Sequence, residues 1–420
     1  MRTGGVWAGV LGVEKTGVED VDFDEELGLL VVSVRPTRSA RGRCGRCGRR
    51  CRGYDQGVGR RRWRALDVGT VEAWLEADAP RVSCPAHGVV VASVPWARHG
   101  AGHTHAFDDT VAWLATACSK SAITELMRIA WRTVGSILAR VWADTEAAHD
   151  RFAGLSRIGI DEISYKRGHR YLTVVVDHDS GRLVWAAPGR DKATLRGFFD
   201  LLGPVRSAAI THVSADGAEW IAAVVTERAP TAVLCADPFH IVSWTTDALD
   251  EVRRAAWNDA RGAVTARTAP RATGTAKKLK DARYALWKNP ENLTDNQRTK
   301  LAWIATTDPR LYRAYLLKEG LRLVFRLPYH AAVEALDRWI SWARRCRISA
   351  FVALQKRIVK HRASILAAIE HGLSNGRIES VNTKIRLITR IAFGFRSPEA
   401  LIALAMLSLG GHRPTLPGRN

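Results

Sequence analysis

Long apolar runs are missing from this chain of 420 residues, and none approaches the ~20 consecutive residues that a helical membrane span requires. The opening stretch, MRTGGVWAGVLGVEKTG, lacks the continuous apolar core of a secretory signal, so a cytoplasmic setting is expected. Cysteine is scarce and odd in number. The seven are Cys44, Cys47, Cys51, Cys84, Cys118, Cys235 and Cys346, with four of them between positions 44 and 84. That distribution argues against a secreted disulfide framework and for a metal near the N-terminus plus scattered thiols. Internal repeats and coiled-coil heptads are absent as well. Acids are the most informative shortage. Asp and Glu number 42 against 63 Lys and Arg, which leaves a formal net charge of +21. Such an excess calls for a polyanionic partner, and without a membrane segment that partner is nucleic acid.

What is present is ordinary in bulk: 46% hydrophobic and 25% charged residues, as in folded soluble proteins. The length accommodates two or three domains. Leu29–Val34 is β-like, and Arg41–Arg64 is Cys- and Arg-rich, with ten arginines against the single acid Asp55. Trp63–Val94 alternates again, and Phe107–Asp144 has the period of three short helices. From Arg157 the segments RIGIDEIS, RYLTVVVD and RLVWAA predict three strands. They are followed by a helix over Lys192–Leu202, a strand over Ala209–Ser214, a helix over Ala218–Arg228 and a strand over Thr231–Ala236. A meander and then alternating helix and strand is the order of an RNase H-like mixed sheet. Phe239–His371 reads as helical except for RGAVTARTAPRATGTAKK, expected to be a mobile basic loop, and a short tail follows Gly410.

Two knuckles define a metal site. Cys44-Gly-Arg-Cys47 and Cys84-Pro-Ala-His87 are each a turn that brings two ligands to one point, with 36 residues between Cys47 and Cys84. Thiolate and imidazole suit tetrahedral Zn²⁺, and four protein ligands make the site structural. Cys51 is a possible substitute with a less natural spacing. Arg46, Arg49, Arg60, Arg61 and Arg62 would lie against DNA phosphates, supplying affinity and position rather than base reading. In the helical trio that follows, Ser119 or Ser121 is expected to cap the second helix and Trp131 to open the third. Read as a helix-turn-helix, the trio presents Arg132, Thr133, Ser136 and Arg140 on the exposed face of its third helix.

Three acids stand at the ends of predicted elements. Asp161 closes the first strand of the core, Asp216 follows the fourth, and Glu379 lies in the late helix NGRIESVN. First and fourth strands are neighbours in an RNase H-like sheet, so two carboxylates meet and a helix adds the third. Such a trio holds two Mg²⁺ (or Mn²⁺) ions, ~3.5–4 Å apart, around a scissile phosphodiester. Ile378, Val381, Ile385 and Ile388 form an apolar stripe on the Glu379 helix, and Glu379, Thr383, Arg386 and Arg390 a neighbouring one. Lys384, Arg386 and Arg390 are candidates to hold DNA backbone. Asp237, in Asp237-Pro-Phe-His240, also ends a strand and competes with Asp216 as second ligand. Strand order favours Asp216.

At this point the chain resembles the IS-L-three (ISL3) family of bacterial insertion-sequence transposases over nearly its full length. The resemblance rests on CGRCG with CPAH, on IGIDEISYKRGHRYLTVVVD, on VSADGAEWIAAVV followed by ADPFHIV, on ARYALWKNPENLTDNQRTKL and LYRAYLLKEGLR, and on SNGRIESVNTKIRLITRIAFGFRSPE. It implies a DDE enzyme with Asp161, Asp216 and Glu379 as metal ligands. It further implies that Asp237 and His240 support the site and that an insertion over about 241–370 contacts DNA or a partner protomer. His87 stands where the family pattern leads one to expect cysteine; imidazole is still a good zinc ligand.

The expected architecture is multidomain α/β. It comprises an N-terminal zinc ribbon (1–98), a helix-turn-helix (99–150), an RNase H-like mixed-sheet core (151–240 and 371–410) with a large all-α insertion (241–370), and a tail (411–420). The expected function is that of a nucleoid-associated bacterial transposase, at least dimeric on double-stranded DNA (terminal inverted repeats and target), with one structural Zn²⁺ and two catalytic Mg²⁺. A structure-specific nuclease and a catalytically silent DNA-binding regulator are the alternatives.

Overall fold

Period-two alternation of apolar side chains builds the N-terminal sheets. In chain order the first elements are helix α1 (Thr3–Val10) and strands β1 (Thr16–Asp24), β2 (Leu29–Pro36), β3 (Arg52–Asp55), β4 (Arg60–Arg64), β5 (Glu72–Asp78), β6 (Arg81–Cys84) and β7 (Gly88–Val91). A four-stranded sheet has the order β1-β2-β5-β4, in which only the β2–β5 pairing is parallel. Its buried face carries Leu30, Val32 and Val34 from β2 and Ala73, Leu75 and Ala77 from β5, closed by Trp63 and Trp96. The α1 helix was not legible as one; Trp7 within it and Leu11 just after it pack against this core. A second, antiparallel sheet, β3-β6-β7, carries the second cysteine knuckle.

Three helices follow: α2 (His105–Ala115), α3 (Lys120–Leu126) and α4 (Trp131–Ala148). Thr104 caps α2 by accepting from the Phe107 N–H, and Ser119 caps α3 by accepting from the Ala122 N–H. Phe107, Val111, Ile123, Val134, Ile137 and Leu138 are their buried faces.

The core begins with β8 (Arg157–Lys166), β9 (Arg170–Asp177) and β10 (Leu183–Pro188). Helices α5 (Lys192–Leu202) and α6 (Pro204–Ala208), strand β11 (His212–Ala215), helix α7 (Glu219–Arg228) and strand β12 (Val233–Ala236) complete it. The five strands form one sheet in the order β10-β9-β8-β11-β12, with antiparallel meander pairs and parallel β8–β11 and β11–β12 pairs. This is the mixed sheet that element order predicts. The fourth strand starts at His212 rather than at Ala209, because Pro204 opens the short α6 in front of it.

Beyond the sheet run α8 (Pro238–Thr265), α9 (Ala272–Asp281), α10 (Arg283–Trp287), a 3-10 turn (Pro290–Asn292), α11 (Asp295–Thr307), α12 (Pro309–Val324), α13 (Tyr329–Arg345), α14 (Ser349–Lys360) and α15 (Arg362–Glu370). They are followed by α16 (Gly376–Ile391) and α17 (Pro398–Leu409). Helices α8 to α15 share a core of Leu249, Leu286, Leu317, Trp339, Phe351 and Ile358.

The computed structural model describes residues 3–166, 168–265 and 272–419. The segment expected to be a mobile basic loop is helical at both described ends, within α8 and α9, because Ala276 and Leu279 are buried; its centre, 266–271, lies outside the described residues. The chain divides into one unit of residues 1–151 with 384–420 and another of 152–383. Among the described residues no helix is long and apolar enough to cross a membrane.

Candidate active site and metal centre

Strand register places the first two acids. β11 pairs with β8 through His212↔Arg157, Val213↔Ile158 and Ser214↔Gly159. Continued by two residues, this parallel register sets Asp216 level with Asp161. Asp161 does not close its strand as expected: β8 continues to Lys166 against β9, with Asp161 opposite Val174. The β11 side of β8 is what ends here, and that opens space beside the Asp161 carboxylate. Burial pushes Asp161 up to about 6, and the negative charges of Asp216 and Glu162 add to the rise despite an N–H donated by Glu162. Glu162 is raised as well, by burial and then by Asp216, although Arg190 holds it at 3.2 Å.

The third acid arrives on α16. Gly159 lets that helix approach β8: a Cβ there would lie 2.7 Å from Ile378 Cγ1 and 2.9 Å from His178 Nε2. Asn382 Nδ2 donates to Asp161 Oδ2 at 2.8 Å. Glu379 is one turn earlier on the same face as Asn382 and half-buried; its N–H donates to Asn375 O, and its carboxylate has no hydrogen-bond or ion-pair partner among the described residues. Asn382 Oδ1 is buried and has no partner among the described residues. An orphaned oxygen beside two mutually repelling carboxylates fits the oxygen ligand set of a hard cation. Among the described residues Asp161, Asp216 and Glu379 do not converge within 4.8 Å of one another. A two-ion site needs a wider span, since the ions themselves stand ~3.5–4 Å apart.

A buried chain of hydrogen bonds ties these elements together. His178 Nε2 bonds Ser214 Oγ at 2.7 Å, and Ser214 Oγ donates to Asn375 Oδ1 at 2.5 Å. Asn375 N donates to Asp237 Oδ1 at 3.1 Å, and Asp237 Oδ2 bonds His240 Nδ1 at 2.7 Å. Asp237 is 2% exposed, and both its oxygens are engaged, the N–H groups of Phe239 and His240 included. The hydrogen bond that His240 donates to Asp237 raises His240, with Asp216 and Asp161 contributing, whereas burial holds His178 down at about 4. His178, Ser214, Asn375 and Asn382 escaped sequence reasoning. Only the position of Asn382, one helical turn after Glu379, was a usable signal.

Cations rim the site. Arg190 lies over the Tyr171 ring at 5.0 Å, and Arg357 over the Trp244 ring at 3.4 Å; both interact with Asp216. Strand alternation hid Glu162, and Arg190 and Arg357 carry no local pattern that marks them.

The N-terminal metal centre is assembled as the knuckles predict. Cys44, Cys47, Cys84 and His87 offer ligand atoms within 4.8 Å of one another. Cys44 Sγ to His87 Nδ1 is 3.7 Å, Cys47 Sγ to Cys84 Sγ 3.8 Å and Cys84 Sγ to His87 Nδ1 3.5 Å. A tetrahedron with Zn–S bonds of ~2.3 Å has edges of about 3.8 Å, so the set fits zinc. Burial pushes Cys84 up, but N–H groups of Ala86 and His87 and the neighbouring thiols bring it down to about 7, toward the thiolate a metal requires. Cys51 stands outside the set and bonds Arg49 O.

Of the candidate DNA contacts, Arg46, Arg49, Arg132, Ser136, Lys384, Arg386 and Arg390 are exposed and Thr133 is half-buried. Arg60 and Arg62 share Glu76, and Arg61 donates to Ala101 O. Arg140 differs from expectation: its guanidinium bonds both oxygens of the fully buried Asp108, an assignment that serves the fold.

Comparison with known proteins agrees with this layout. Residues 158–405 match a family model described as transposase. Residues 92–142 match the helix-turn-helix domain of transposase family ISL3, and residues 40–87 the zinc-finger of transposase IS204/IS1001/IS1096/IS1165. The chain is 65% identical over 439 aligned residues to the transposase for insertion sequence element IS1557 of Mycobacterium tuberculosis, covering 100% of this chain and 98% of that one. It is 27% identical over 404 residues to the transposase for insertion sequence element IS1001 of Bordetella parapertussis, with 95% of each covered.

Proposed function

This chain belongs to the ISL3 family of transposases, and from that membership we propose that it is a DDE-type enzyme that cuts a transposon end and joins it to target DNA. The reading rests above all on one observation: register sets Asp216 beside Asp161 at the open side of β8, and Asn382, one turn from Glu379, reaches Asp161. Asp161, Asp216 and Glu379 would hold two Mg²⁺ (or Mn²⁺) ions, with Asn382 Oδ1 as a further oxygen. When bound, such ions stabilise charge on the attacking and leaving oxygens of an in-line displacement. Asp216 is preferred to Asp237 because both Asp237 oxygens are already occupied. Asp237 and His240 instead hold Asn375 and the start of the Glu379 helix in place.

Residues 41–145 would bind the terminal inverted repeats, with zinc and the ribbon supporting Arg46 and Arg49 against the backbone. Lys384, Arg386 and Arg390 would hold DNA phosphates. Hydrolysis leaves a 3′-hydroxyl, whose oxygen then attacks a target phosphorus while the target's own 3′ oxygen departs. Paired ends require at least a dimer. The domain divisions at 98, 150, 240, 370 and 410 are the functional parts of this scheme.

The test is cleavage and joining of duplex DNA carrying the inverted repeats that flank the gene, with Mg²⁺ or Mn²⁺. Cut and joined products from the wild type, absent for Asp161→Ala and Glu379→Gln variants that still bind DNA, are expected. Binding without cutting by the wild type would replace this reading with that of a regulator.

A further inference from the structure

Within the N-terminal unit, a cavity of ≈ 840 Å³ is lined by Lys120, Trp131, Arg132 and Ser136 from the helix-turn-helix and by Phe395 and Arg396 from the chain leading into α17. Lys120 is 5% exposed. Its Nζ stands 5.1 Å from the Trp131 ring centre and 4.6 Å from that of Phe395, and no acid or hydrogen-bond acceptor partners it among the described residues. Burial alone lowers its proton affinity. Two aromatic faces attract an ammonium but do not replace a counter-anion, so the fold keeps this cation at a cost that a ligand would offset.

The start of α4 supplies a second donor group. This 18-residue helix opens at Ala130 with no side-chain cap hydrogen bond among the described residues, and Ala130, Trp131 and Arg132 line the same cavity, so the positive end of the helix lies at its wall. Arg132 and Arg396 are exposed at its rim, and Glu399, also exposed, is the one acid of the lining. A buried ammonium, an uncapped helix N-terminus and two guanidiniums select a tetrahedral oxyanion.

We infer that this pocket binds a backbone phosphodiester of duplex DNA, with Lys120 as its buried cation, and that the segment Phe395–Ser397 thereby takes part in DNA binding. The inference rests on the DNA-binding reading of the helix-turn-helix. Duplex DNA is favoured over a free anion because Arg132 and Ser136 of the same helix are both exposed and both line the cavity.

The experiment measures affinity of the full chain for mixed-sequence duplex DNA over a series of salt concentrations. Lys120→Met is expected to weaken binding about tenfold and to reduce the slope of log K against log salt by about 0.9, one phosphate contact. Lys120→Arg should keep the slope. A scan with single methylphosphonate links should find one position that weakens the wild type and leaves Lys120→Met unaffected. Equal affinity and slope for wild type and Lys120→Met would overturn the inference, whereas failure of the wild type to bind at all would overturn the DNA-binding reading itself.

If Lys120→Met melts early or loses zinc, reductive methylation of the wild type decides instead. Labelling of Lys120 when free and protection by duplex DNA support the site. Equal labelling in both states, or no labelling in either, overturns it. Protection by inorganic phosphate but not by DNA would make the pocket a free-anion site and overturn the assignment to DNA.

Discussion

Under the proposed function, Asp161 carries the tension between stability and chemistry in this protein. Folding raises its proton affinity from an ordinary value near 3.8 to about 6. A carboxyl whose folded pKa is raised destabilises the fold above that pKa, and the penalty fades as pH falls toward the unfolded value. In metal-free protein at pH 7, Asp161→Asn should therefore raise unfolding stability by about 1–3 kcal/mol. At pH 4 the two proteins should converge, and denaturant titration at both pH values measures this. The same variant should not cut DNA. Zinc would make the opposite demand at Cys84, which offers it a ligand. Cys84→Ser should lose the metal, seen by elemental analysis, and DNA affinity should fall by about tenfold or more as the basic ribbon disorders.

Helix α16 and strand β8 have to meet closely for Glu379 to reach its place. The closeness depends on the bare backbone of Gly159, where a Cβ would fall within 3 Å of both Ile378 and His178. Gly159→Ala should destabilise the core by about 1–3 kcal/mol through overpacking, and it should reduce cleavage far more than DNA binding. A melting curve beside paired binding and cleavage assays separates the two effects. The hydrogen-bonded chain from His178 through Ser214, Asn375 and Asp237 to His240 joins strand ends that are far apart in sequence. Its members lie at ordinary polar positions in the sequence, and for that reason only Asp237 and His240, four residues long as a motif, could be picked out beforehand.

The whole molecule is organised by discontinuity. Residues 384–420 join 1–151 in one unit, and α17 buries Leu401, Leu404, Met406 and Leu407 there. Ala400 of α17 and Gly135 of α4 come so near that a Cβ at Gly135 would be 3.4 Å from that of Ala400. Each such buried side chain contributes about 1.5–3 kcal/mol. Deleting residues 397–420 should consequently make the helix-turn-helix region protease-sensitive and lower its melting temperature, although the deletion removes none of its own residues. Limited proteolysis followed by mass spectrometry locates the loss.

Local pattern was enough for a great deal. Knuckle spacing located Cys44, Cys47, Cys84 and His87, because a turn of two residues brings its own ligands together. Strand and helix periods announced the sheet order, since neighbouring segments pair by short connections. The excess of Lys and Arg announced a polyanion. Other features exist only once the chain is folded. Asp161 lies inside its strand rather than at its end because β9 pairs with β8 onward to Lys166. Arg140 belongs to buried Asp108 rather than to the exposed face, and the expected basic loop continues as helix on both described sides because Ala276 and Leu279 find a core. The Lys120 pocket joins residues 120–136 to residues 395–397. Periodicity reports which face of an element is apolar, but which distant group meets a given charge is settled by packing between elements, and no local window contains that information.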